Sequence, residues 1–422
     1  MSTTRRQFIK QSAGAVTLSL VMPRTLFARA ADPNRRVLVV IELAGGNDGF
    51  NTVVPYTDSR YFSLRPTLSL KDSDLRDVQG RPTIISDHLG FHPSMGKLKE
   101  MHDAGRVATV VGVGYPNPNG SHFVSADIWH TGNPQGGGGA EGWLGRYADV
   151  ALVGRSGLGA IAVEDRLPKT LASSQVVVPS TPNFDEYGLQ TDDDYPHNRD
   201  VKINTLLSLH NRAFPAGSFI GQDARIGFDA VNGALQFRQA LASYRTTVNY
   251  PQNNSLADGL QLLAQVISSI PTVSLLYVQM GGFDHHSNQV ASADNRRAGQ
   301  HANLLQDFSD GVEAFYRDLA EHGLADNVLM LQWSEFGRRP EENKSLGTDH
   351  GAASSIFVIG NKVKGGIYGR QPSLAVTDVD DSGNAKFNVD FRAVYATILD
   401  GWLGGDSKTV LGGQFENMGF LV

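Results

Sequence analysis

Cysteine is absent from this chain of 422 residues. That excludes disulfide staples and thiolate metal ligands, so any bound metal must be held by His, Asp, Glu, Asn or hydroxyl groups. Long apolar runs are missing too. The weakly apolar stretch near the amino terminus, Ala13–Met22, is about ten residues long, half of what a membrane-spanning helix needs. No internal repeat is found. Basic charge becomes scarce once the first thirty residues are set aside. Residues 1–30 carry Arg5, Arg6, Lys10, Arg24 and Arg29 and no acidic residue, so Lys plus Arg falls from 37 to 32 against 43 Asp plus Glu, a net of −11. A phosphate polymer needs a basic surface, so nucleic acid is not expected as a partner. A small phosphate or sulfate ester is not excluded, because a bound metal reverses the local charge.

What is present begins with a targeting segment. Thr4-Arg5-Arg6-Gln7-Phe8-Ile9-Lys10 precedes the apolar stretch, and Ala28-Arg29-Ala30 supplies small residues in an A-x-A arrangement, with cleavage predicted before Ala31. Residues 1–30 resemble a twin-arginine export signal. The resemblance implies the twin-arginine export machinery as a partner, a periplasmic or secreted product, and no stable membrane span after cleavage. The remainder, 31–422, has the make-up of a soluble globular protein; the whole chain is 41% hydrophobic and 19% charged.

Apolar runs without alternation, Val37–Ile41, Val107–Val113, Ala160–Val163, Val273–Met280, Val328–Trp333 and Ile356–Ile359, read as strands buried on both faces. Helical patterns lie among them at Met95–Ala104, at Gln222–Ser269 (Leu260, Leu263 and Val266 on one face) and at Phe391–Leu403. A further one carries Leu304, Phe308, Val312, Phe315 and Leu319 at helical spacing. Strand, helix, strand in this order predicts a parallel sheet with right-handed crossovers, an α/β three-layer α/β/α sandwich. Residues 165–225 are rich in Ser, Pro, Asp and Asn and include Thr191-Asp192-Asp193-Asp194. The region 165–270 is therefore expected to be an inserted cap whose surface borders the site. Gln135–Gly139 reads as a glycine-rich loop.

Chemistry-bearing clusters follow these strands. They are Gly45-Gly46-Asn47-Asp48-Gly49, Gly120-Ser121-His122, Asp284-His285-His286, Ser334-Glu335-Phe336-Gly337 and Thr348-Asp349-His350-Gly351. The carboxyl ends of strands are where an open α/β sheet places its chemistry. Asp and His together offer the oxygen and nitrogen ligands of zinc or manganese. Asp284 and His286, at i and i+2, point the same way in extended backbone. Asp349 is suited either to direct coordination or to orienting a ligand. Asp127 and His130, one helical turn apart, suit support of such a site or simple packing. His88, His92, His102 and His285 read as structural or surface residues, and Trp129, Trp143 and Trp333 as core.

The segments Gly45-Gly46-Asn47-Asp48-Gly49-Phe50-Asn51, Gly114-Tyr115-Pro116-Asn117-Pro118, Ser121-His122-Phe123, Asp127-Ile128-Trp129-His130-Thr131-Gly132, Gly282-Phe283-Asp284-x-His286-x-x-Gln289, Ser334-Glu335-Phe336-Gly337-Arg338 and Thr348-Asp349-His350-Gly351 resemble the bacterial family DUF1501. That family is similar in fold to the alkaline phosphatase superfamily of phosphatases, sulfatases and phosphomutases. The resemblance implies Asp48 as a first metal carboxylate, Ser121 as nucleophile, and Asp284, His286 and His350 as ligands of one or two divalent ions. Where the superfamily has an Asp-His dipeptide, this chain has Ser334-Glu335. Glu335 would then replace one carboxylate, and Asp349, His122 or His285 would fill in for the missing histidine. Arg338 or Arg339 would hold the ester's non-bridging oxygens. No serine begins the S-x-P-x-R pattern of formylglycine sulfatases, which favours a phosphate ester. Two functions are expected: an exported metal-dependent hydrolase of a small ester, or a catalytically weak, metal-bound periplasmic binding or assembly protein on the same fold.

Overall fold

The structure, a computed structural model, describes residues 32, 34–136, 139–155, 157–184, 195–215 and 217–422. The expected leader, residues 1–30, lies outside the described residues, as do Thr191–Asp194 and residues 137–138 of the glycine loop.

Apolar runs make the centre. β1 (Val37–Leu43) and β2 (Val107–Gly114) are buried at every position. β3 (Ala160–Val163), β4 (Leu275–Met280) and β5 (Val328–Trp333) accompany them. β6 (Arg338–Glu342) and β7 (Thr348–His350) pair only with each other. β8 (Ser354–Ile359) and β9 (Gly366–Gly369) complete the main sheet in the order β9–β2–β8–β5–β1–β4–β3, with the short strand Val389–Asp390 beside β2.

β1 is parallel to β4 and β5, and β3 is parallel to β4. β8 runs antiparallel to β5 and β2, which corrects the all-parallel expectation. The chain between Trp333 and Ser354 forms the β6–β7 hairpin and contains no crossover helix. It therefore re-enters the sheet from the edge it left, and only an antiparallel strand results. The hairpin is thereby kept at the carboxyl ends of β1, β4 and β5.

Helices cover both faces. α1 (Gly96–Asp103), α2 (His122–Thr131) and α3 (Trp143–Ala151) are followed by the pair α4 (Pro196–His210) and α5 (Phe219–Ser243). Then come α6 (Ser255–Ser269), α7 (Gln300–Glu321) and α8 (Phe391–Ile398). Alternate strand residues point to opposite faces. Leu38, Val40, Leu331 and Trp333 meet Ile128, Trp129, Trp143 and Tyr395 on one side, where Trp129 stacks on Trp333 at 5.4 Å and Trp143 on Tyr395 at 4.2 Å. On the other, Phe357 packs against Phe91 and against Phe308 of α7. Among the described residues, no helix is long and apolar enough to cross a membrane.

The expected cap is corrected in extent and position. α6 packs on α7 and the sheet, so it belongs to the sandwich, not to an insertion. Arg225, Asp229 and Asn232 of α5 share a cleft with Gly157, Gly159 and Thr272, which precede β3 and β4. The α4–α5 pair thus meets the amino-terminal edge of the sheet, away from the Asp–His clusters. Its return segment is pinned there: the hydroxyls of Tyr244 and Tyr250 both donate to buried Asp318, near the end of α7.

One charged side chain lies inside β1. Glu42 is buried, accepts the Tyr277 hydroxyl and sits 3.5 Å from His130 Nε2. Burial pushes its carboxyl up to about 8. The folded protein therefore holds this proton more tightly than the unfolded chain does. Its contribution is complete below about pH 4.5 and is lost as pH rises through about 8. Glu42→Gln should match the wild type at pH 5 and exceed its folding equilibrium constant at pH 9 by at least about tenfold, as read from denaturant unfolding at the two pH values.

Candidate metal centre

Three imidazoles and one carboxylate converge at the carboxyl ends of the central strands. His122 opens α2, Asp284 and His286 lie just beyond β4, and His350 ends β7. Ligand atoms of His122, Asp284 and His350 all lie within 4.8 Å of one another, and His286 stands outside that group, beside Asp284 and His350. Asp284 Oδ1 is 3.2 Å from both His286 Nε2 and His350 Nε2, and its Oδ2 is 3.5 Å from His122 Nε2. A tetrahedral zinc site places neighbouring ligand atoms about 3.3 Å apart.

Each imidazole is oriented by an oxygen on its other nitrogen. His122 Nδ1 faces Glu335 Oε1 at 2.8 Å, His286 Nδ1 faces Asp349 Oδ1 at 3.3 Å, and His350 Nδ1 faces the Gly120 carbonyl at 2.7 Å. Those oxygens accept, so Nδ1 carries the proton and Nε2 presents its lone pair inward. His286 Nε2 and His350 Nε2 then stand 2.8 Å apart, lone pair against lone pair. Such a pair is stable only with a cation or a proton between. His122 Nε2 is buried with no hydrogen-bond partner, a cost that coordination would remove. The donor set fits a divalent metal, and its nitrogen content suits zinc better than manganese.

The loops that hold these side chains are tightly constrained. Gly45 has φ of +120°, and a Cβ there would fall 2.5 Å from the Asp284 amide nitrogen. A Cβ at Gly347 would fall 2.4 Å from the His286 backbone. Partial burial raises the Asp284 carboxyl, but the hydrogen bond and charge of Arg338, with the imidazoles beside it, outweigh that and hold it at about 2. Asp284 is therefore a carboxylate at any ordinary pH.

Several sequence-predicted residues fall elsewhere. Asp48 caps the short helix Gly49–Thr52 and is buried against Arg65 at 2.6 Å, with the Gln289 amide donating at 2.6 Å. Burial would raise its carboxyl, and Arg65 outweighs that and holds it below its usual range. The expectation of Asp48 as a metal ligand is corrected, because its oxygens are committed to this ion pair and cap. Glu335 is corrected from ligand to orienting group. Its Oε1 accepts from Gly45 N–H at 2.9 Å and faces His122, while its Oε2 lies 3.1 Å from Ser334 Oγ. Asp349 takes the orienting one of its two expected roles. His122, one of the residues expected to fill in for the missing histidine, stands with Asp284 and His350.

Arg338 is corrected as a substrate clamp. It is buried, and its three nitrogens donate to the carbonyls of Gly45, Gly46, Phe283 and Thr348 and to Asp284. Arg339 is half-exposed, its Nη1 4.0 Å from Asp349. Ser121 occupies the N-cap position of α2, yet its side chain makes no capping hydrogen bond. It lies between Gly120, whose carbonyl faces His350, and His122. Asp127 and His130 belong to another locality. Asp127 pairs with Lys169, while His130 faces Thr170 and Glu42 and is pushed down to about 4 by burial.

Residues 35–413 match the family described as "Protein of unknown function (DUF1501)", and the chain belongs to it. No curated protein matches the chain. Among solved structures, it is similar to the PsFucS1 sulfatase from Pseudoalteromonas sp. (12% identity, TM-score 0.38, covering 100% of this chain and 78% of that one). It is also similar to the C-terminal periplasmic domain of EcEptC from Escherichia coli in complex with Zn (11%, TM-score 0.37, 79% and 75%). A third is a protein in the alkaline phosphatase superfamily from Vibrio parahaemolyticus (8%, TM-score 0.34, 88% and 72%). These likenesses are distant, and the chemistry of the centre rests on this chain's own residues.

Loss of Glu335 should loosen the metal without removing a ligand. Glu335→Gln is expected to weaken zinc binding about 10- to 100-fold, and His122→Ala more, in competition titrations against a chromophoric chelator. Equal affinity in all three proteins would show that His122 does not bind the ion.

Proposed function

We propose that this protein is an exported, metal-dependent hydrolase of phosphate esters, with sulfate esters the less favoured substrates. The observation that carries the reading is the convergence of His122, His350 and the Asp284 carboxylate, with His286 against the last two, beside an uncapped serine. Zinc bound by His122, Asp284, His286 and His350 would supply Lewis acidity toward the ester oxygens and lower the pKa of a coordinated hydroxyl or water. One ion is favoured over two, because Asp48, Glu335 and Asp349 are engaged elsewhere.

The chain's own groups divide the remaining work. Ser121 attacks phosphorus: its Oγ–P bond forms, the ester P–O bond breaks, and the departing alkoxide takes up the serine proton through solvent. Water then cleaves the phosphoseryl bond. The amino end of α2, free of a side-chain cap, favours the anion there. Arg339 binds non-bridging oxygens from the rim. Arg338 and Glu335 keep ligands in place without touching substrate. The leader's twin-arginine pattern is consistent with transport of the folded, metal-loaded protein to the periplasm.

A second reading, a metal-bound periplasmic binding or assembly protein, is favoured by one observation: Asp48 and Arg338 serve the scaffold. The two readings part on turnover. The zinc-loaded mature chain should release phosphate from a simple monoester. Ser121→Ala should lower kcat by about a thousandfold or more with zinc content unchanged. Arg339→Ala should raise KM about 10- to 100-fold with little change in kcat. Zinc-loaded wild type without turnover on mono- or diesters favours the binding protein.

A further inference from the structure

The first turn of α2 carries two apolar side chains directly after Ser121 and His122. Asp, Glu, Ser or Thr are favoured there because the exposed amides are electropositive. This turn holds no acidic residue and reads His122-Phe123-Val124. Phe123 is 90% exposed and Val124 39% exposed, whereas Ile128 and Trp129 of the same helix are buried in the core. The Phe123 side chain adds no core packing and costs solvation. Phe123 and Val124 follow immediately on Ser121 and the inward-facing His122. An electropositive helix end, a metal-type donor set and an apolar lip therefore adjoin one another.

We infer that the substrate is an amphipathic phosphate ester, its anionic head at the metal centre and an apolar organic group resting on Phe123 and Val124. This inference rests on the ester-hydrolase reading and specifies its substrate class. A ring standing clear of the surface offers one face to a flexible chain or an aromatic group, which would bury area that water otherwise covers. Arg339, Asn343 and Asp349 bring charge and amide groups to the neighbourhood of His286. The apolar part of a ligand thus has one side on which to lie, and this fixes its orientation relative to Ser121.

The test is a series of n-alkyl phosphates from methyl to octyl, given to the zinc-loaded mature chain. Leaving-group basicity hardly changes along the series, so any trend in kcat/KM reports apolar contact. Wild type should gain about tenfold from methyl to octyl, the effect of burying about two methylenes. The Phe123→Ser/Val124→Ser double variant should turn over methyl phosphate at the wild-type rate and lose the gradient. Val124 is partly covered, so the double variant should lose a little thermal stability, and Phe123→Ser alone, whose thermal midpoint should not move, is measured alongside. A flat series in wild type, or a gradient that survives in the double variant, overturns the amphipathic substrate while leaving the hydrolase reading intact. No turnover of any member by the metal-loaded wild type overturns the hydrolase reading, and the substrate inference with it.

Discussion

Arg338 sits where three strand-end loops would otherwise bury their carbonyls unpaired. The loop after β1 brings Gly45 and Gly46, the segment after β4 brings Phe283 and Asp284, and β7 brings Thr348; a single planar guanidinium donates to all of them. A buried cation is tolerable only when its donors are satisfied, and here the loops satisfy it. The dependence runs both ways. Without Arg338 the carbonyls lack donors, and without the loops the charge lacks acceptors. Asp284 thereby reaches the site already ionised and already aimed.

The imidazoles extend the same logic outward. Glu335, Asp349 and the Gly120 carbonyl each fix one ring by its Nδ1 proton. Three elements that are far apart in sequence then present lone pairs toward the Asp284 carboxylate. Phe336 packs against His122 at 4.9 Å and His350 at 4.6 Å, limiting ring rotation from below. An arrangement so fixed before any ligand arrives spends little ordering entropy on binding one.

Much of the architecture was legible from the chain because strands buried on both faces leave unbroken apolar runs, and β1, β2 and β5 did so. The antiparallel β8 could also have been read: the Ser334–Ala353 stretch has a Pro, three glycines and no helical stripe, so no crossover helix was available. Asp284, His286 and His350 were visible because they cluster at strand ends. The reassignments of Asp48, Arg338 and Glu335 were not visible. Whether a charged residue meets a metal, a substrate or the scaffold depends on tertiary partners such as Arg65 and the Gly45 carbonyl, which no local pattern announces. His122 stood next to the serine that drew attention, and its role depends on the distant Glu335. The cap was misplaced because composition marks an insertion without saying at which edge of the sheet it stands.

The most direct test of the central claim is X-ray absorption spectroscopy of the zinc-loaded protein. The account predicts one zinc per chain, with three imidazoles and at least one oxygen, and one imidazole fewer in His122→Ala. A spectrum with two or fewer imidazoles in the wild type, or one unchanged by the substitution, would contradict the assignment of His122, His286, His350 and Asp284 to a single centre.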